Sequence, residues 1–184
     1  MTLYECLLEV KDPRRREGLR IDLGQMFCMI IVANICGYIG GRPVARFAKA
    51  YSSTFTKMLN LRHAVPSHVT FSELLNRTDQ EQLVAAFNKW SSLFVPIKKG
   101  DAVSGDGKAL GSTVMDSHGN GQSFESVVSL FSQQSGLVHS LEHYRSSKET
   151  EIDIVCFLIN KLEGMGATLY LDALHTQKNG RDDC

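Results

Sequence analysis

Two aspartates stand where apolar, strand-like runs end: Asp106 follows Ala102–Gly105 (AVSG), and Asp172 follows Ala167–Leu171 (ATLYL). A carboxylate at the end of a strand projects toward the crevice beside the sheet, where open α/β sheets place their sites. Leaving such a group half-buried and unpaired is costly. Two of them on neighbouring strands repel, and a divalent cation held between them relieves the repulsion through the hard oxygen ligands that Mg²⁺ favours. The same residues have plainer uses. An aspartate before glycine forms turns, and one after a strand caps the next helix. Both readings stand on the residue pattern alone. A second chemical cluster is basic: Lys11, Arg14, Arg15, Arg16 and Arg20 crowd one short stretch, and Arg42, Arg46 and Lys49 recur at helical spacing. Lysines and arginines grouped this way contact phosphates or simply keep a surface solvated.

The elements that must position these residues change character near residue 100. Before it, apolar residues recur every three or four positions in Leu3–Val10, Leu23–Gly41, Pro43–Leu59 and His68–Phe94, which predicts four or five helices. Gly40 and Gly41 close one helix, Pro43 opens the next, and Ser67 after Pro66 is placed to cap another. The stretch from Pro66 to Trp90 leaves room for a helix-turn-helix. The polar turn Pro96–Gly100 (PIKKG) then sets a boundary between a helical domain, 1–97, and a second domain, 101–184. Beyond it the period shifts toward two. Strands are expected at Ala102–Asp106, Glu125–Gln133 and Leu137–Tyr144, with Ser135-Gly136 turning a hairpin between the last two. A helix follows over Thr150–Leu162, ended by Gly164 and Gly166, and then a strand at Ala167–Leu171. The order β-β-β-α-β is an α/β pattern.

Composition narrows the classes. With 43% apolar and 22% charged residues in 184, the chain is globular rather than disordered. Its net charge is zero, but residues 1–100 carry 14 basic and 8 acidic side chains while residues 101–184 carry 6 and 12. The helical part is thus the electropositive one. Five cysteines without CxxC spacing exclude a zinc-ribbon pattern and lead to the expectation of a reducing, cytoplasmic setting. The longest apolar run, Met26–Ile39, falls short of the roughly 20 residues that cross a bilayer, so no membrane partner is expected.

Several blocks in order carry a resemblance. GDGKALGS (105–112), FESVVSLFSQQSGLV (124–138), KETEI (148–152) and LYLDALHTQK (169–178) resemble DDE-type insertion-sequence transposases of the ISAs kind, the H-repeat-associated proteins. In the first half, KDPRRREGLRIDL (11–23), RFAKAY (46–51) and VPSHVTFSELLNR (65–77) are similar to the helical segment that precedes the catalytic domain in that family. The resemblance implies a ribonuclease-H-like α/β catalytic domain after an all-helical one, acting on double-stranded DNA with Mg²⁺ or Mn²⁺. Asp106 falls on the first catalytic acid and Asp172 on the second. Two ions held by such acids activate the attacking oxygen and steady the leaving one. Lys108 shares a strand face with Asp106 and is expected at DNA, or else in solvent. His175, Gln177 and Lys178 follow the second acid and are expected to position DNA, with helix capping as the alternative for His175. Arg14, Arg15, Arg16 and Arg46 are the expected DNA contacts of the helical half.

The family continues past the second acid into a further strand and a helix with a third acid, whereas only twelve residues follow Asp172 here. The expectation is a C-terminally truncated transposase, inactive alone for want of the third acid, and joining intact transposase in homo-oligomers. The alternatives are a non-catalytic chain that binds DNA or transposase, or a decaying remnant.

Overall fold

The computed structural model describes residues 1–15, 19–109, 125–145, 151–160, 162 and 164–171. It is a mixed helix and sheet structure with two compact units, Met1–Ala86 and Phe87–Cys184.

The first unit is helical because its polar punctuation falls where helix ends need it. Helix α1 (Leu3–Leu7) and helix α2 (Leu23–Ile35) each open with a capping box. In α1 the Thr2 hydroxyl accepts from Glu5 N at 3.2 Å while Thr2 N donates to the Glu5 carboxylate at 2.7 Å. In α2 Asp22 and Gln25 do the same at 2.8 and 3.1 Å. Each box satisfies amides that the helix leaves orphaned. Tyr4 ties the two starts together by donating its hydroxyl to the Asp22 carboxylate at 2.9 Å. Burial and that hydrogen bond push the Tyr4 phenol up to about 12.

Helix α2 buries Leu23, Met26, Phe27, Met29, Ile30 and Ala33 on one broad face and leaves Val32 and Ile35 exposed. It stops at Ile35, well short of Gly41, because the chain turns at Gly37 (φ 83°) and Gly40 (φ 90°), a conformation only glycine adopts without penalty. Helix α3 (Gly41–Ala50) then buries Val44, Phe47 and Ala48. The single run expected over Pro43–Leu59 breaks at Tyr51 into α3 and helix α4 (Ser52–Leu59), which ends on Asn60 in the left-handed region at φ 50°. Likewise, His68–Phe94 divides into helix α5 (His68–Arg77) and helix α6 (Gln80–Phe94). Thr78 turns extended with its hydroxyl on the Leu74 carbonyl at 2.7 Å, and the Asp79 carboxylate accepts from Gln82 N at 3.2 Å. Thr and Asp compete with helical hydrogen bonds in this way, which is why they interrupt helices. Ser67 caps α5 as its sequence position predicts.

Helices α3 and α5 pack closely at a small residue. A Cβ placed on Gly41 would stand 2.1 Å from Ser72 Oγ and 2.9 Å from Ser72 N.

The second unit contains a four-stranded mixed sheet of order β3-β2-β1-β4. Strand β1 (Ala102–Ala109) pairs antiparallel with β2 (Glu125–Ser132), β2 antiparallel with β3 (Leu137–Arg145), and β1 parallel with β4 (Thr168–Leu171). Helix α7 (Glu151–Asn160) makes the crossover between β3 and β4. The strand and helix order is the one the sequence predicts. One face of the sheet is apolar: Val103, Val128, Leu130 and Tyr144 pack with Ile154, Val155 and Leu158 of α7, and Leu169 and Leu171 of β4 join them. Alternation sends Ser104, Asp106 and Lys108 of β1 to the other face.

Strand β3 lies at an edge, with main-chain groups that need partners. The side chain of Asn88 in α6 supplies them as another strand would, donating to the Leu141 carbonyl and accepting from Leu141 N, both at 2.8 Å. Ser91 donates its hydroxyl to the Val138 carbonyl, and the His139 ring lies 2.7 Å from the Val95 carbonyl.

Among the described residues, no helix is long and apolar enough to cross a membrane.

Candidate functional site

Asp106 does not end a strand as its sequence suggested. It is the fifth of eight residues in β1, opposite Ser129 of β2, because the Gly107-Lys108-Ala109 stretch keeps pairing with Val128, Val127 and Ser126. Its side chain is exposed on the face away from the α7-covered core. Lys108 is exposed on the same face, as the strand period requires.

The strand that neighbours β1 on its other side is β4. The parallel register runs from Ala102 opposite Thr168 to Gly105 opposite Leu171, the last residue before Asp172. Glycine at 105 permits this approach on the core side, where a Cβ would stand 2.8 Å from Leu171 Cδ2. Asp172, His175, Gln177 and Lys178 lie outside the described residues, as does Arg16. Among the described residues, no three His, Cys, Asp or Glu side chains come together as a metal-binding group.

A cross-strand ionic group on the Asp106 face was not foreseen. Arg145 at the end of β3 donates to Glu125 at the start of β2, at 2.9 Å from Nε and 2.7 Å from the terminal nitrogen, and His143 pairs with the same carboxylate. The Arg145 hydrogen bonds, reinforced by the His143 and Arg145 charges against a desolvation penalty, hold the Glu125 carboxyl below its ordinary 4.5. Counting outward from the hairpin turn, where Ser132 faces Leu137, would set Glu125 opposite Tyr144. A bulge between Leu130 and Phe131 shifts the register by one residue and brings in Arg145 instead.

The basic residues of the helical unit divide into two kinds. Arg14 is consumed locally: its guanidinium chelates the Asp12 carboxylate at 2.6 and 2.9 Å and donates to the Ile21 carbonyl at 2.9 Å, leaving the side chain 5% exposed. Burial would raise the Asp12 carboxyl, but the Arg14 bonds overcome it and hold that group below its ordinary value. Arg15 is exposed. Arg42, Arg46 and Lys49 instead stand together on the solvent face of α3, opposite the buried Val44, Phe47 and Ala48. They line an open cleft of about 1100 Å³, closed on its other side by Ala64–Ser67 and His68 at the start of α5. Among the described residues, no carboxylate lines it. A smaller cleft of about 440 Å³ shares the Ala64–Ser67 wall and is lined by Arg14, Arg20 and His63.

These features lie in a chain whose helical part has known relatives. Residues 4–91 match the family model described as DDE_Tnp_1-associated. The match supports a transposase-associated family for this chain and covers α1 to α5, both clefts and most of α6. The chain is also similar to the "Uncharacterized protein in dhlA 3'region" of Xanthobacter autotrophicus, with 25% identity over 171 residues. That likeness covers 92% of this chain, which spans 57% of the relative's length.

Proposed function

We infer that this transposase-related chain works in DNA transposition in the cytoplasm, as an insertion-sequence transposase of the ISAs kind whose sheet unit is a ribonuclease-H-like DDE domain. The observation that carries this reading is the match of residues 4–91 to a transposase-associated family, directly followed by a sheet that presents Asp106 beside β4. The order β3-β2-β1-β4, with the α7 crossover making β4 parallel to β1, supports the ribonuclease-H-like assignment.

In this reading Asp106 and Asp172 act together as the first and second acids. Asp106 suits a hard divalent ion: it offers carboxylate oxygens on an exposed face, and among the described residues no side chain is bonded to it. Mg²⁺ or Mn²⁺ bound by the two aspartates would supply the Lewis acidity needed for displacement at a phosphodiester phosphorus. Lys108, sharing the face with Asp106, would draw a DNA phosphate toward it, and His175, Gln177 and Lys178 would orient the strand. Partners are double-stranded DNA and further copies of transposase. A non-catalytic reading, in which the chain binds DNA or transposase, is favoured by the basic cleft, which requires neither aspartate.

Calorimetric titration with Mn²⁺ separates the two. Asp106→Asn and Asp172→Asn should each weaken Mn²⁺ binding at least tenfold. Unaltered binding in both variants would remove the catalytic reading and leave the second.

A further inference from the structure

We propose that the α3 cleft is the seat of a duplex DNA backbone, gripped through its phosphates rather than read through its bases. This rests on the reading of the chain as DNA-acting and goes beyond it by naming the surface and mode of contact. Arg42, Arg46 and Lys49 occupy one helical face, and among the described residues none of them has an ion-pair or hydrogen-bond partner. Their charge is therefore available to a ligand, in contrast to that of Arg14, which Asp12 already neutralises.

The cleft's chemistry selects phosphate. Three cations face a wall that begins a ten-residue helix, α5, whose first-turn amides add donors. The hydroxyls of Ser52 and Thr56 and the His68 ring add further polar groups to the lining. A cationic ligand would find no acidic partner among the described residues of this lining.

The spacing selects a polymer. Residues 42 to 49 cover about 10 Å of helix axis at 1.5 Å per residue. A DNA strand presents a phosphate about every 3.4 Å of duplex axis, so more than one lies within reach of the three cations at once. The cleft is open, as a through-running backbone requires, and among the described residues its lining lacks the Asn and Gln side chains that read adenine.

The test uses the full chain and a mixed-sequence duplex, with affinity followed by fluorescence anisotropy between 50 and 200 mM salt. Each phosphate contact contributes about −0.9 to the slope of log K against log salt. Replacing Arg42, Arg46 and Lys49 together by alanine should shallow that slope by roughly 2.7 at about 0.9 per contact. The matched control replaces Lys57, Arg62 and Arg77, exposed cations of the same unit outside the cleft, and should leave the slope within about one contact of the wild type. Circular dichroism verifies that both triple variants fold, and if the cleft triple does not, the single variant Arg46→Ala, with a slope loss of about 0.9, serves instead. Equal losses in both triples would overturn the proposal in favour of diffuse attraction. So would full competition by millimolar inorganic phosphate, which marks a small-anion site, or tighter binding of duplex RNA of the same sequence. Absence of any duplex binding by the wild-type chain would instead defeat the DNA-acting reading itself.

Discussion

Replacing Gly41 by alanine probes the contact on which the α3 cleft depends. Glycine at this position lets α3 lie against α5, and the added methyl would meet Ser72 Oγ at 2.1 Å, Ser72 N at 2.9 Å and Ser72 Cα at 3.0 Å. Rotating the serine hydroxyl relieves the first contact. The other two are backbone, so α3 must retreat from α5 by about half an ångström to regain ordinary separation. Overpacking of this kind costs about 1–3 kcal/mol. Alanine's better helix propensity offsets at most about 1 kcal/mol, because Gly41 begins the helix and its φ is not positive. The net expectation is a loss of about 1–2 kcal/mol, which for a unit of 86 residues lowers the midpoint by roughly 4–8 °C per kcal/mol. Thermal unfolding of the full chain followed by helical circular dichroism reads this directly. Adding Ser72→Gly should recover only part of the loss, since the main-chain contacts persist. A Gly41→Ala chain as stable as the wild type, or more stable, would refute the close-packing argument and the idea that a half-ångström gap matters here.

Three further outcomes follow from other contacts. Asn88→Leu should destabilise the sheet unit by about 1–3 kcal/mol, because Leu141 loses both main-chain partners; a urea midpoint unchanged from wild type would show that water substitutes fully. Glu125 titrates below its ordinary 4.5 in the folded chain, so its contribution is present above that value and is lost as pH falls through the lower folded value. Arg145→Met should therefore flatten the acid side of the stability profile, and an identical profile would show that the pair contributes nothing. Tyr4, raised to about 12, should ionise well above the ordinary tyrosine value of 10 in an absorbance titration; its stabilising effect fades between 10 and about 12. Asp22→Asn, which keeps the helix cap, should return that ionisation toward 10, and no movement would mean that burial alone sets it.

Much of the architecture was legible because local chemistry writes it. Period-two and period-three-to-four patterns, the Pro96–Gly100 turn and the Ser67 cap located the elements, and their order, β-β-β-α-β after helices, matches the structure. The alignment of Arg42, Arg46 and Lys49 on one face of α3 follows from helical spacing alone. Other features depended on neighbours distant in sequence. Asp106 reads as a strand end because the strand-like run Ala102–Gly105 stops there, yet β2 pairing carries β1 three residues further. Side-chain competition at Thr78 and Asp79 split a helix whose apolar period runs on unbroken.

Charge shows most clearly where the division falls. Composition determined that the first hundred residues are basic, but only packing decided which cations are spoken for. Arg14 folds onto Asp12 and the Ile21 carbonyl, while Arg46 stays in an open cleft. The Glu125–Arg145 pair depends on one bulged residue in the β2–β3 ladder, which no periodicity announces. Residue types and local spacing are properties of the chain read in order, whereas the partners of a charge are set by segments that meet only when the tertiary fold has formed.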